Sequence, residues 1–296
     1  MKKYMGDAMM LTTAIVWGSG FVVTAIALKY LTAYQVMAGR FILAAIILMV
    51  LFGYRLKGLR WSVVWKGAVL GTILYVAFAF QTVGLEYTTA SKNAFLTAVN
   101  VVIVPLIAFV LYKRKIDGYE MFGSVLALVG IGLLSLQGSL KMNIGDILTL
   151  VCAVGFAFDI FYTNYFVQKE DALILTIVQF VTAALIGTIV VIIQGDIPTT
   201  IAKEGIYSVI YLAVFSTTLA YVFQNVAHKY TTATKAAIIL STEALFGTLF
   251  SILFLHEILT FKMTMGALLI MIAILIAELK PAYFKNRMAK KLGRST

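Results

Sequence analysis

The feature that most constrains this chain is a succession of apolar runs, each near twenty residues long, separated by short polar interruptions from end to end. A helix of about 20 residues rises ~30 Å, the thickness of a bilayer's hydrocarbon core. Backbone groups in hydrocarbon must pair within their own segment, so such runs fold as helices or as closed barrels of alternating strands. Segments of alternating polarity, the mark of barrel strands, are absent. Only 12% of residues are charged, against roughly 25% in soluble domains, too few to cover a water-facing surface. The fold class expected is an all-α integral membrane protein.

Ten transmembrane helices are predicted, over about 6–28, 34–53, 65–86, 92–112, 118–136, 145–167, 173–194, 206–227, 235–255 and 262–279. With the N-terminus inside, eighteen of the 24 Lys and Arg residues fall in cytoplasmic segments, five in outer loops, and Arg40 lies within a span. Positive residues resist translocation, so this asymmetry predicts cytoplasmic N- and C-termini and a multi-pass protein of the plasma (inner) membrane. Lys2 and Lys3 precede a first run read as a retained helix, not a cleaved signal. The net charge of +11 is largely a topology signal, and the basic tail at 281–296 is expected to lie on anionic lipid. No folded module accompanies it that would read nucleic acid. The single cysteine, Cys152, excludes an intrachain disulfide and a multi-cysteine metal site.

The chain also contains a copy of itself. Residues 77–94, AFAFQTVGLEYTTASKNA, match residues 220–237, AYVFQNVAHKYTTATKAA, at ten of eighteen positions with a constant offset of 143. Gly123 then falls on Gly266 and Asn100 on Glu243; earlier, an offset of 139 pairs Asp7 with Asp146 and Arg40-Phe41 with Gln179-Phe180. Two units are expected, 1–140 and 141–280, each of five helices. Five is odd, so the second enters the bilayer from the opposite side, with Lys92 outside and its equivalent Lys235 inside. Inverted repeats of this kind are a hallmark of secondary transporters, whose halves exchange conformations around one central site.

The motif FQxxxxxYTTAxKAA, with Asn93 in place of its penultimate Ala in the first copy, resembles the EamA repeat of the drug/metabolite transporter superfamily. Glu243-Ala244, Leu255-His256-Glu257, Gly266 and Trp17-Gly18 are similar to further signatures of that family. The sequence departs from its pattern at Ala244, which stands for Pro, at His256, which stands for Gly, and at Lys113-Arg114-Lys115, which replaces an acidic turn. The resemblance implies a ten-helix carrier of small metabolites, often an exporter, with substrates that include amino acids and cationic amines.

Charge at the bilayer centre costs at least ~2.5–3.5 kcal/mol, so ionisable residues within spans mark candidate sites. Asp159 and Glu243 each lie ~12 Å from the cytoplasmic face at 1.5 Å per residue and can line one cavity as proton carriers or as counter-charges for a cation. Each can equally be a hydrogen-bonded structural group. Arg40, ~9 Å below the outer face, is a candidate outer gate or carboxylate contact; snorkelling to water and a structural salt bridge are its alternatives. Trp17, Tyr75, Phe78, Tyr162 and Tyr221 can offer ring faces to a cationic or aromatic substrate. Gln81, Asn100, Gln224 and Asn225 are amides that need partners in lipid, from a neighbouring helix or from substrate. Gly67-x-x-x-Gly71 and Gly130-x-Gly132 read as close helix packing.

His256-Glu257 lacks the second histidine of a zinc-hydrolase motif, because Thr260 stands there, and no nucleophile triad or phosphate loop is present. The function expected is a secondary transporter of small organic metabolites, with protons as a coupling ion and membrane lipid as its surroundings. No cofactor or obligate protein partner is implied. An importer of a cationic amine such as choline, and a membrane protein without transport activity, remain open alternatives here.

Overall fold

A computed structural model describes residues 2–113, 116–136, 142–198, 200–227, 230 and 239–279, with the side chains at 2, 3, 112, 225, 278 and 279 excepted. Lys229, Lys235, the second motif copy over 231–237 and the tail 281–296 lie outside the described residues. In chain order the elements are α1 (Lys2–Ala27), α2 (Ala33–Phe52), a 3₁₀ turn (Gly53–Gly58), α3 (Trp61–Tyr87), α4 (Ala90–Ala98), α5 (Asn100–Tyr112), α6 (Gly118–Ser135), α7 (Ile144–Val167) and α8 (Ala172–Ile193). They continue with α9 (Lys203–Tyr211), a π-helical segment (Leu212–Leu219), α10 (Ala220–Ala227), α11 (Glu243–Leu255) and α12 (Phe261–Leu279).

Among the described residues, eight helices are long and apolar enough to cross a membrane, and two shorter apolar ones follow, Ile239–Leu255 and Phe261–Ala277. The outward surface carries exposed Val50, Val110, Leu128, Ile193 and Phe254. A soluble monomer rarely shows so much contiguous apolar surface; in lipid it is the expected exterior.

Two departures from regular helix were not legible in the hydropathy pattern. The fourth span breaks at Val99, between α4 and α5, where the Val99 N–H reaches back to Leu96 O at 3.4 Å. The eighth span changes to π geometry across Leu212–Leu219.

The sequence duplication reappears in the backbone. Val99 (φ −61°, ψ −18°) precedes α5, and Thr242 (φ −67°, ψ −9°), 143 residues on, precedes α11. Both helices end on a left-handed residue, Lys113 at φ 52° and His256 at φ 55°, again 143 apart. Their cap N–H groups donate to Ala108 O and Ser251 O, themselves equivalent positions. Neighbours exchange in the same way. Helix α1 packs on the α9–α10 span and on α11, while α7 packs on α3 and on α4–α5.

Small residues set the closest approaches. A Cβ at Gly266 would lie 2.5 Å from Leu134 N, and one at Gly123 would lie 2.9 Å from Ala273 O, so α6 and α12 meet backbone to backbone. Gly67 and Gly71 face Val178, Gln179 and Thr182 of α8, as the spacing predicts. Gly130 packs against Gly266 and Ile270, whereas Gly132 meets only the tip of Leu136 and takes no part in that contact.

Candidate functional site

A cavity of about 750 Å³ lies among α1–α8, the π segment, α10 and the helix breaks before α5 and α11. Irregular backbone at membrane depth is tolerated where it lines such a space. The breaks at Val99 and Thr242 bring Asn100 and Glu243, equivalent positions of the two halves, to its wall.

Six rings build its frame. Trp17 meets Tyr221 edge-on at 5.6 Å, and their repeat equivalents Phe156 and Phe78 meet edge-on at 4.9 Å. Phe41 sits against Phe78 at 5.5 Å, and its equivalent Phe180 sits against Tyr221 at 5.2 Å. Phe41 and Phe180 then touch each other at 6.0 Å, joining two copies of one three-ring unit. Edge-to-face pairs of this kind suit the ring quadrupole and hold the walls apart from collapse.

Polar groups break the symmetry of the frame. Asp159 on α7 is almost wholly buried and accepts a hydrogen bond from Gln179 Nε2 at 2.9 Å. The equivalent residues in the first half are Gly20 and Arg40. Arg40 donates from Nε and Nη2 to Thr217 Oγ1 at 3.0 and 2.9 Å, and from Nη2 to Ser216 Oγ at 3.4 Å. Its guanidinium lies 4.4 Å from the centre of the Phe78 ring. Gly20 leaves room for this arrangement, since a Cβ there would lie 2.7 Å from Ser216 Oγ. The π segment presents Ser216 and Thr217, and Trp17 Nε1 donates to Ser216 O at 2.9 Å. Glu243 bonds to no described side chain, and Tyr221 lies within electrostatic reach of Arg40, Asp159 and Glu243.

Nine of the sequence-predicted residues therefore lie at the cavity wall: Trp17, Arg40, Phe78, Gln81, Asn100, Asp159, Tyr221, Gln224 and Glu243. Gln81 is held by Thr97 through its Nε2 at 3.1 Å. Arg40 is held inward at 3% exposure by the Thr217 and Ser216 hydroxyls, and it forms no salt bridge among the described residues. Tyr75 is outside the wall: it is buried in the core of α2, α3, α7 and α8 against Phe41. Tyr162 is also outside, packed against Phe166 and the cluster of Val63, Leu70 and Leu175. The side chain of Asn225 lies outside the described residues. Sequence reasoning missed Gln179, Ser216 and Phe156 as wall residues, and Thr217 as the partner that holds Arg40. Gln179 and Phe156 carry a signal, since the 139 offset pairs them with Arg40 and Trp17; the two hydroxyls carry none.

The two ends of the cavity differ. At one end the wall includes exposed Asn164, with Val167 and Ala172 beside the α7–α8 connection. At the other end Thr24, Leu85 and Asn93 are buried. There Lys92 pairs with Asp146, Thr88 Oγ1 also donates to Asp146, and the Glu257 carboxylate accepts from Ala90 N at 2.8 Å and from the Ser91 hydroxyl. These contacts tie α3, α4, α7 and the α11–α12 connection together over that end.

The EamA-like transporter family matches this chain twice, over residues 4–136 and 143–279. An uncharacterized transporter of Archaeoglobus fulgidus is 33% identical over 282 residues, covering 94% of this chain and 87% of the relative. The uncharacterized transporter YyaM of Bacillus subtilis is 24% identical over 284 residues, covering 91% of this chain and 92% of the relative. A solved crystal structure at 14% identity superposes with a TM-score of 0.66 over 93% of this chain and 96% of the other, a likeness of fold. With both halves of the chain matched, it belongs to the EamA-like transporter family.

Proposed function

We propose that this transporter is a secondary carrier of small organic metabolites, amino acids, amines or related compounds, that works by alternating access and exports them across the plasma membrane. In this reading ten helices form two inverted five-helix units, 1–140 and 141–280, with both termini and the basic tail 281–296 in the cytoplasm. The observation that carries it is the chamber of about 750 Å³, lined at repeat-equivalent positions such as Gln81 and Gln224, with exposed Asn164 at one end and buried Thr24, Leu85 and Asn93 at the other among the described residues. Two near-equivalent halves around one site can interchange their conformations, which closes one mouth as the other opens. The accessible end lies beside Asn164 and Ala172, on the side that the charge asymmetry assigns to the cytoplasm, so this state loads from within.

Asp159 and Glu243 supply groups that can exchange a proton or balance a cationic substrate, so protons are the proposed coupling ion. The test is counterflow in liposomes: protein loaded with an amino acid or amine should exchange it for labelled external substrate, with proton movement where coupling holds. Failure of every member of an amino-acid and amine panel to exchange removes the carrier reading. Single cysteines at positions 92 and 235, in a Cys152→Ala background, should label from opposite sides; labelling from one side removes the inverted topology.

A further inference from the structure

Arg40 is a buried cation whose described neighbours include no carboxylate at ion-pair distance. Its partners are two neutral hydroxyls and two rings, Phe78 at 4.4 Å and Phe41 at 5.7 Å. Hydroxyls orient a guanidinium but do not neutralise it, and a buried charge without a counter-ion is costly. Nε and Nη2 are occupied by Thr217 and Ser216, while Nη1 bonds to none of the described residues, and the side chain lines the chamber. Arg40 thus keeps an unused donor group at the wall of a space large enough for a small organic molecule.

The site is built, and built on one side only. At the equivalent place in the second half stand Gln179 and Asp159, an amide bonded to an acid. The repeat frame of six rings therefore carries a cation at the first-half position and Asp159 at the second-half position, with Glu243 also at the chamber wall. We infer that Arg40, held by Thr217 and Ser216, is the subsite for a carboxylate on the transported molecule. The inference rests on the carrier reading above and narrows its substrate class to molecules bearing a carboxylate. Guanidinium geometry matches a carboxylate where an ammonium would act only as a point charge.

Phenylalanine with phenethylamine, and leucine with isoamylamine, are matched pairs that differ by the carboxylate alone. Binding of each to the full-length protein in detergent is followed by tryptophan fluorescence, and counterflow of each is followed in liposomes. The expected result is carboxylate-dependent binding in the wild type, with a loss of about 30-fold or more for the acids in Arg40→Gln and little change for the amines. Arg40→Lys should keep the preference for acids with weaker binding, and Thr217→Val should weaken it in the same direction; these two variants carry the test if Arg40→Gln does not fold. Equal weakening of acids and amines, or no Arg40-dependent binding of any acid in the wild type, overturns the subsite. Intact Arg40-dependent binding without counterflow of any probe supports the subsite and removes the carrier reading instead.

Discussion

Lys92 Nζ lies 3.3 Å from Asp146 Oδ2, and the two side chains are 4% and 0% exposed. Thr88 Oγ1 completes the carboxylate's shell at 2.5 Å. The pair joins the start of α4 to the start of α7 over the buried end of the chamber, where any opening at that end must part them. Its residues come from the part of the chain where Asp7 and Lys235 are the repeat equivalents, although Lys235 lies outside the described residues.

Removing one partner leaves the other charge buried and alone. Lys92→Met or Asp146→Asn is therefore expected to cost about 3–5 kcal/mol of stability. The Lys92→Met/Asp146→Asn double variant should lose less than the sum of the two, since neither charge is then stranded. Unfolding in detergent, read as a double-mutant cycle, measures the coupling, and strict additivity would show that the pair does not interact.

Asp159 is one of the two acids proposed to exchange the coupling proton. Asp159→Asn keeps the size of the side chain and a partner for Gln179 but holds no exchangeable proton. Transport by this variant should lose its dependence on pH, with counterflow of substrate against substrate surviving. Uptake into liposomes at several internal and external pH values is the measurement, and an unchanged pH profile would relieve Asp159 of the role.

Glu170, in the α7–α8 connection, receives Lys66 Nζ at 2.5 Å, Arg60 Nη2 at 2.8 Å and Ser62 Oγ at 2.9 Å. The Lys66 hydrogen bond first, then that from Ser62, holds its carboxyl below the usual carboxylate range. A lowered folded-state value means that the stabilisation is present above the ordinary value of about 4.3 and is lost as pH falls through the folded one. Wild type should therefore unfold at higher temperature than Glu170→Gln near pH 7, and the two melting curves should converge in strong acid. Parallel curves down to pH 3 would show that the carboxylate adds nothing.

The α6–α12 contact predicts a position-specific glycine effect. Gly266→Ala places a methyl 2.5 Å from Leu134 N and 2.8 Å from Gly130 O, backbone that can yield only if the helices separate. A loss of about 1–3 kcal/mol is expected. Gly58→Ala, with nothing within 4 Å, should be near neutral under the same thermal assay.

Membrane residence, the duplication and the family were determined by the sequence alone, because apolar run length reports its solvent and residue identity at a fixed offset reports ancestry whatever the fold does. The offset even anticipates the equivalence of Asn100 and Glu243 and of Lys113 and His256. Tyr75 and Tyr162 mark where that reading stopped. Each stands three residues from a wall residue, Phe78 and Asp159, and helix neighbours at that spacing share a face. Only packing decides which of the two points into space: Tyr75 is taken up by Phe41 in the core, and Tyr162 by Phe166. The tertiary structure alone also decided that Arg40 turns inward onto Thr217 and Ser216. Those hydroxyls are some 176 residues away in the chain and are presented by a π segment that hydropathy does not encode. Which charges share a chamber depends on helix breaks and long-range contacts, and these are properties of the folded chain.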